Sequence, residues 1–287
     1  MFTVQCSIVI WSGEGRLRVS GLTKSGDLPP TVSQRERVLT AAVGVPLVVL
    51  ITIFAANVIF AAIIGGVSIL AAEEFFSLGV KRSIGRPGRW FLAAVGGVSM
   101  SFLGGPVWVL GAAVFAAITL MTIEMLTASA EDALVRVAMG LGSILYCPLT
   151  LGFTIFMPRR EVLLLFAIIW IGDSAAYYAG RAIGRRPLAP TISPKKTVEG
   201  AIAGFIGSVV AGVIGGRWLL GGMRLDLIWI SAVTAVAGQC GDLAESMLKR
   251  SAGVKDSSSV LPGHGGILDR LDSLFFAAPV FYWLLVP

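Results

Sequence analysis

The sequence predicts an all-α integral membrane protein, a polytopic helical bundle of about nine transmembrane helices. Three observations carry that prediction. First, the chain of 287 residues is 55% hydrophobic and only 14% charged, with a mean hydropathy of +0.83. A soluble domain carries about 25% charged residues, so a soluble reading would need an implausibly large core. Second, apolar runs of about 20 residues recur along the chain, the length of a helix that crosses a bilayer. Third, the period-two alternation of an outer-membrane barrel is missing. Helices remain, because the hydrocarbon core requires backbones satisfied from within. The 35 glycines suit close helix packing in lipid.

Residues 1–34 form a polar N-terminal arm, expected to be poorly ordered or interfacial. Its apolar run Ser7 to Trp11 is too short to span and lacks the order of a signal peptide. The expected spans are 38–56, 58–78, 90–105, 106–126, 136–157, 161–182, 198–220, 226–245 and 269–286. Only Gly104, Gly105 and Pro106 separate the third from the fourth, which predicts a tight turn or a re-entrant pair. Residues 35–135 make an N-terminal transmembrane region. Residues 136–287 make a catalytic one, with polar loops at 183–197 and 246–268.

Basic clusters set the orientation. They lie at Arg35 and Arg37, at Lys81 to Arg89, at Arg181 to Lys196, and at Lys249, Arg250, Lys255 and Arg270. With the N-terminus inside, nine spans put all four on the cytoplasmic side; Arg159 and Arg160 are the exception. The net charge of +6 fits cytoplasmic loops and anionic headgroups, and no nucleic-acid partner is expected. Cys6, Cys147 and Cys240 have neither metal nor disulfide spacing and are read as small packing residues. No repeat of the transporter kind is visible.

The chemistry concentrates in the polar loops and the span ends beside them. Asp242 and Glu245 close the eighth span, while Asp269 and Asp272 open the ninth. A spacing of three puts each pair on one helical face. Two such helix ends at one membrane surface can converge on a divalent cation, and hard oxygen donors suggest Mg²⁺. Asp173, well inside the sixth span, should face the bundle interior. Structural ion pairing of these acids with Lys249, Arg250 or Arg270 is the competing explanation. Lys195, Lys196 and Thr197, and across from them Lys249, Arg250, Lys255 and Arg270, supply the cations that a triphosphate needs beside an acid-bound metal. The bland explanation for these bases is topology and headgroup binding. Ser193 and Thr197 are also candidate caps of the following helix, with Glu199 in its first turn. Pro262 to Gly266 is a Gly-rich turn before a helix start, whose amides suit phosphate. His264, the one histidine of the chain, cannot form a His-based metal site.

Read together, Ser246-x-Leu248-Lys249-Arg250-x4-Lys255-Asp256-x-Ser258-x2-Leu261-Pro262-x-His264-Gly265-Gly266-Ile267-x-Asp269-Arg270-Leu271-Asp272 resembles the pattern of the phosphatidate cytidylyltransferase, or CDP-diacylglycerol synthase, family. Gly172 to Gly184 and Ser193 to Gly200 resemble the same family, and Arg37 to Leu78 do so weakly. Residues 72–74, Ala-Glu-Glu, lack the tryptophan expected there.

The resemblance implies Mg²⁺-dependent transfer of CMP from CTP to phosphatidic acid, giving CDP-diacylglycerol and pyrophosphate. It also implies a homodimer in the inner (plasma) membrane with the site facing the cytoplasm. By position in the motif, Asp242, Asp269 and Asp272 are metal ligands, with Asp173 a further candidate. A second, monovalent cation such as K⁺ is implied at the same centre. Asp242, Lys255, Asp269, Arg270 and Asp272 are the catalytic candidates. Ser193, Lys195, Lys196, Thr197, Lys249, Arg250, His264, Gly265 and Gly266 are the substrate-binding candidates. The rivals are another CTP-dependent lipid enzyme, which should depart from the full string, and a transporter binding a coupling cation at Asp173 and Asp242.

Overall fold

The computed structural model describes residues 34–80, 87–222, 224–258 and 265–285. Most of the N-terminal arm and His264 therefore lie outside the described residues. The apolar runs form ten helices among the described residues: α1 (Gln34–Phe54), α2 (Asn57–Val80), α3 (Arg89–Ser101), α4 (Pro106–Thr127), α5 (Ala130–Tyr146), α6 (Pro148–Phe156), α7 (Arg159–Ile183), α8 (Val198–Leu219), α9 (Asp226–Ser251) and α10 (Leu268–Leu285). The helices follow the expected spans to within a few residues at most ends. Six stretches among the described residues are long and apolar enough to cross a membrane, as in a multi-pass membrane protein. They are α2, α4, α5 with α6 taken as one, α7, α8 and α9.

The structure refines several boundaries. The expected third span is shorter: α3 has 13 residues, about 20 Å of helix against a hydrocarbon core of about 30 Å. A single 3₁₀ turn over Phe102–Gly104 follows it, and Gly105 at φ +96° turns the chain so that Pro106 opens α4. The Gly-Gly-Pro sequence thus makes a tight turn, one of the two arrangements expected of it. Pro148 lacks an amide proton, so the helix breaks at buried Cys147 and restarts as α6. The polar loop expected from residue 246 begins later. Ser246 to Ser251 belong to α9, because the polar side chains there find partners on the helix and beyond it.

The loop expected over 183–197 carries the one departure from an all-α fold among the described residues. It is a two-stranded antiparallel hairpin, β1 (Pro187–Ala189) with β2 (Ser193–Thr197). Thr197 caps α8 as anticipated, its Oγ1 accepting from Gly200 N at 3.1 Å. Ser193 instead begins β2. Glu199 accepts from the amides of Arg185 (3.0 Å) and Arg186 (3.2 Å), fixing the hairpin base to the first turn of α8.

Small residues let the catalytic helices approach closely. A Cβ on Gly204 would meet the backbone oxygen of Gly172 at 3.0 Å, and one on Gly200 would meet that of Ala176 at 2.8 Å, so α7 and α8 pack backbone to backbone. A Cβ on Gly241 of α9 would meet the Asp272 oxygen of α10 at 2.6 Å. Ser208 Oγ donates to Ile168 O at 2.9 Å, and Gln239 Nε2 to Ala201 O at 3.0 Å, tying α8 to its two neighbours. In lipid such contacts and hydrogen bonds replace the hydrophobic drive. The core is built from Phe76, Phe91, Leu164, Ile168, Phe275 and Phe281. By contrast Trp108, Phe115 and Met125 of α4 are exposed, as lipid-facing side chains are.

Candidate active site

The hairpin, the α9–α10 connection and the ends of α2 and α7 to α10 bring the sequence-predicted residues into two adjoining networks. The first is acidic with one cation. Lys196, at the end of β2, forms an ion pair with Asp242 of α9. Asp173 of α7 and Asp272 of α10 both lie within electrostatic reach of Asp242 and of each other. Asp173 lines a small cleft with Gly172, Ser208 and Gln239, between α7, α8 and α9. It borders this cleft between helices, yet the residue itself is exposed, so the expected inward-facing placement is met only in part.

The second network is organised by Asp269. Its carboxylate accepts from Lys249 Nζ at 2.6 Å, Gly266 N at 2.8 Å and Ser257 N at 3.0 Å, with Ser257 Oγ at 3.1 Å. Lys249 also lies 2.5 Å from Glu245, one turn earlier on α9. Glu245 is fully buried, and this ammonium is the cation that lies against it in an otherwise apolar surrounding. The structural ion-pairing explanation thus holds for Lys249. Gly265 adopts φ +77°, and a Cβ there would meet Asp269 Oδ2 at 2.6 Å. The first glycine of the pair therefore serves the turn and the approach of the carboxylate together.

The expected ligand set of Asp242, Asp269 and Asp272 is not gathered as one cluster. Among the described residues, no three His, Cys, Asp or Glu side chains are placed to hold a metal ion. Asp269 is committed to the loop by four donors, and Asp242 is held by Lys196. The physical reason is charge balance: each carboxylate has found a nearby cation or amide. The donor chemistry of Asp173, Asp242 and Asp272 nonetheless fits a hard divalent cation. These three acids lie within electrostatic reach of one another, with Lys196 paired to Asp242, but are not drawn together as a ligand cluster.

The remaining candidates divide. Lys195, Lys255 and Arg270 are exposed around the two networks. Arg250 braces the hairpin, its Nε donating to Ile192 O at 3.1 Å and its Nη1 to Val254 O at 3.3 Å. Gly266 is buried against Glu74 and Ser257. Sequence reasoning missed Glu74 of α2, whose buried carboxylate accepts from Ser257, Ser258, Ile267 and Leu268. A signal existed: Glu73 and Glu74 interrupt an otherwise apolar span, and acids in such a position are costly without a role.

A sequence model of the Cytidylyltransferase family matches residues 35–286. The chain is 46% identical to "Phosphatidate cytidylyltransferase" of Haemophilus influenzae over 125 residues, which are 42% of this chain and 43% of that protein. It is 47% identical over 121 residues to the protein of that name from Bacillus subtilis, covering 41% and 44% of the two chains. For the Staphylococcus haemolyticus protein of that name the figures are 41% over 146 residues, 47% and 55%. The matched part of the chain thus spans about half the length of these curated relatives.

Proposed function

This chain belongs to the cytidylyltransferase family, and on that premise we propose that it transfers CMP from CTP to phosphatidic acid, forming CDP-diacylglycerol and releasing pyrophosphate. A phosphate oxygen of the lipid attacks the α-phosphorus of CTP. The bond from that phosphorus to the oxygen bridging toward the β-phosphate breaks, and pyrophosphate carries the electron pair away. The observation that carries the reading is the Lys196–Asp242 pair set beside Asp173 and Asp272 where the hairpin, α7, α9 and α10 meet.

The chemistry needs no covalent enzyme nucleophile. The attacking phosphate is largely ionised near neutral pH, its second pKa being about 6, so a strong general base is unnecessary. The obstacle is repulsion between two anions. Lys195, Lys196, Lys255 and Arg270 are the cations placed to offset it. Asp242 and Asp272, with Asp173 within electrostatic reach of both, are the acids that would hold Mg²⁺ and a second, monovalent ion such as K⁺. A bound divalent ion supplies charge neutralisation at the transferring phosphoryl group. Asp269 and Lys249 shape the turn through Gly265 and Gly266 that borders the acids. The small-residue packing of α7, α8 and α9 brings Lys196 and Asp173 to the same end of the bundle as Asp242.

The proposal extends to surroundings. About nine crossings in the inner (plasma) membrane, with the basic connections in the cytoplasm, would put the site on the side where CTP is found. The acyl chains of phosphatidic acid would stay in the bilayer while the headgroup enters the cleft. A homodimer is the assembly that the resemblance implies. Pyrophosphate release from CTP by purified protein in mixed micelles tests the reading, with and without phosphatidic acid and with and without Mg²⁺. Release that requires both and yields a CDP-lipid is expected. Folded protein that releases none overturns it.

A further inference from the structure

Glu74 sits near the end of α2 and is 5% exposed. Its carboxylate takes four hydrogen bonds from one distant stretch of chain. Oε1 accepts from Ser258 Oγ at 2.6 Å and Ile267 N at 3.0 Å. Oε2 accepts from Ser257 Oγ and Leu268 N, each at 2.8 Å. Two donors precede residues 259–264 in the chain and two follow them, so a single side chain ties both ends of the α9–α10 connection together. The Ile267 and Leu268 amides lie at the start of α10, where first-turn N–H groups lack an intrahelical acceptor and the helix dipole favours an anion. Gly266 completes the fit, since a Cβ there would meet the Glu74 carboxyl carbon at 2.6 Å. Ser257 Oγ lies within hydrogen-bond distance of both Glu74 and Asp269, so its single proton is shared between the two carboxylates.

This arrangement reaches the reaction site through α10. Asp269 and Asp272 lie within the first turns of the helix whose start Glu74 holds. A shift of that start moves Asp272 relative to Asp242 and Lys196. An acid buried in a largely apolar helix, with its side-chain acceptors among the described residues all taken by donors from the opposite end of the chain, is more than α2 needs for its own packing. We propose that Glu74 is a positioning residue of the transfer site, the carboxylate through which the N-terminal helices fix the first turn of α10 and so the placement of Asp272. The proposal rests on the function given above.

Glu74→Gln keeps the size and turns one acceptor oxygen into a donor that faces an N–H group. In purified protein in detergent we expect faster amide hydrogen exchange confined to residues 254–258 and 265–272. The kcat for pyrophosphate release from CTP should fall on the order of 100-fold, the cost of misplacing reacting groups by about 1 Å, with KM for phosphatidic acid unchanged. Glu74→Asp, which keeps the charge, should recover part of the exchange protection, and Glu73→Gln should behave as wild type. Exchange unchanged in Glu74→Gln overturns the proposal. So does exchange raised evenly over all helices with activity falling only in step with the folded fraction. If Glu74→Gln does not fold, Glu74→Asp carries the same test. Wild-type protein that releases no pyrophosphate overturns the function and the catalytic half of this proposal. Local exchange in Glu74→Gln still decides whether Glu74 anchors the turn.

Discussion

Lys249 Nζ donates to Asp269 Oδ1 at 2.6 Å, joining the last turns of α9 to the first turn of α10. The same ammonium lies 2.5 Å from Glu245, which is fully buried. One cation therefore bridges two acids and joins the two ends of the α9–α10 connection. It is committed to structure, whereas Lys196 stands in the acid group that includes Asp173 and Asp272.

Replacement of Lys249 by Met should be strongly destabilising. It leaves Glu245 and Asp269 without their shared cation, and removal of one partner of a buried pair costs about 3–5 kcal/mol. Thermal unfolding in detergent should show a lower midpoint. The double variant with Glu245→Gln should recover part of the loss; an additive result would mean that the two do not interact.

Replacement of Asp269 by Asn should abolish turnover while the helices remain folded. The carboxylate accepts from Lys249, Ser257 and Gly266, and an amide can satisfy only some of those donors. Pyrophosphate release measured alongside circular dichroism checks this. Wild-type turnover would remove Asp269 from the working site.

Two glycines separate packing from conformation. Gly266→Ala brings a methyl group against Glu74 and Ser257 and should reduce activity strongly. Gly111→Ala, with nothing within 4 Å of the added carbon, should leave activity unchanged and stabilise α4 by up to about 1 kcal/mol through helix propensity. Activity assays on the two purified variants decide between these outcomes.

Thr197→Ala removes the α8 cap, in which Thr197 Oγ1 accepts from Gly200 N at 3.1 Å. Loss of such a cap costs about 1 kcal/mol. Because Lys196 is the adjacent residue, KM for CTP should rise beyond what the stability loss explains. A variant with lowered stability and wild-type KM would show that the cap does not position Lys196.

Much was legible in the sequence because bilayer chemistry writes long signals. A helix across lipid must be apolar for about 20 residues, so α2, α4, α7, α8 and α9 are visible as runs. The Gly104–Pro106 turn and the Thr197 cap were legible for a local reason, since each depends on residues within a few positions. The α9–α10 motif was legible because its polar residues stand out against apolar flanks. The extension of α9 to Ser251 was not, because polarity marks a loop only until partners are known. The hairpin was missed because strands of three and five residues are too short to show a period.

The sequence by itself determined an apolar helical protein, the segment that carries its chemistry and the family to which that segment belongs. Only the tertiary structure decided which charges meet. It separated Asp269, bound to Lys249, from Asp242, bound to Lys196. It also brought Glu74 of α2 against Leu268 of α10, at 2.8 Å and 194 positions apart. Periodicity and spacing act over a few turns of helix. Burying a carboxylate among four donors depends on helices from opposite ends of the chain packing side by side, and no local pattern records that.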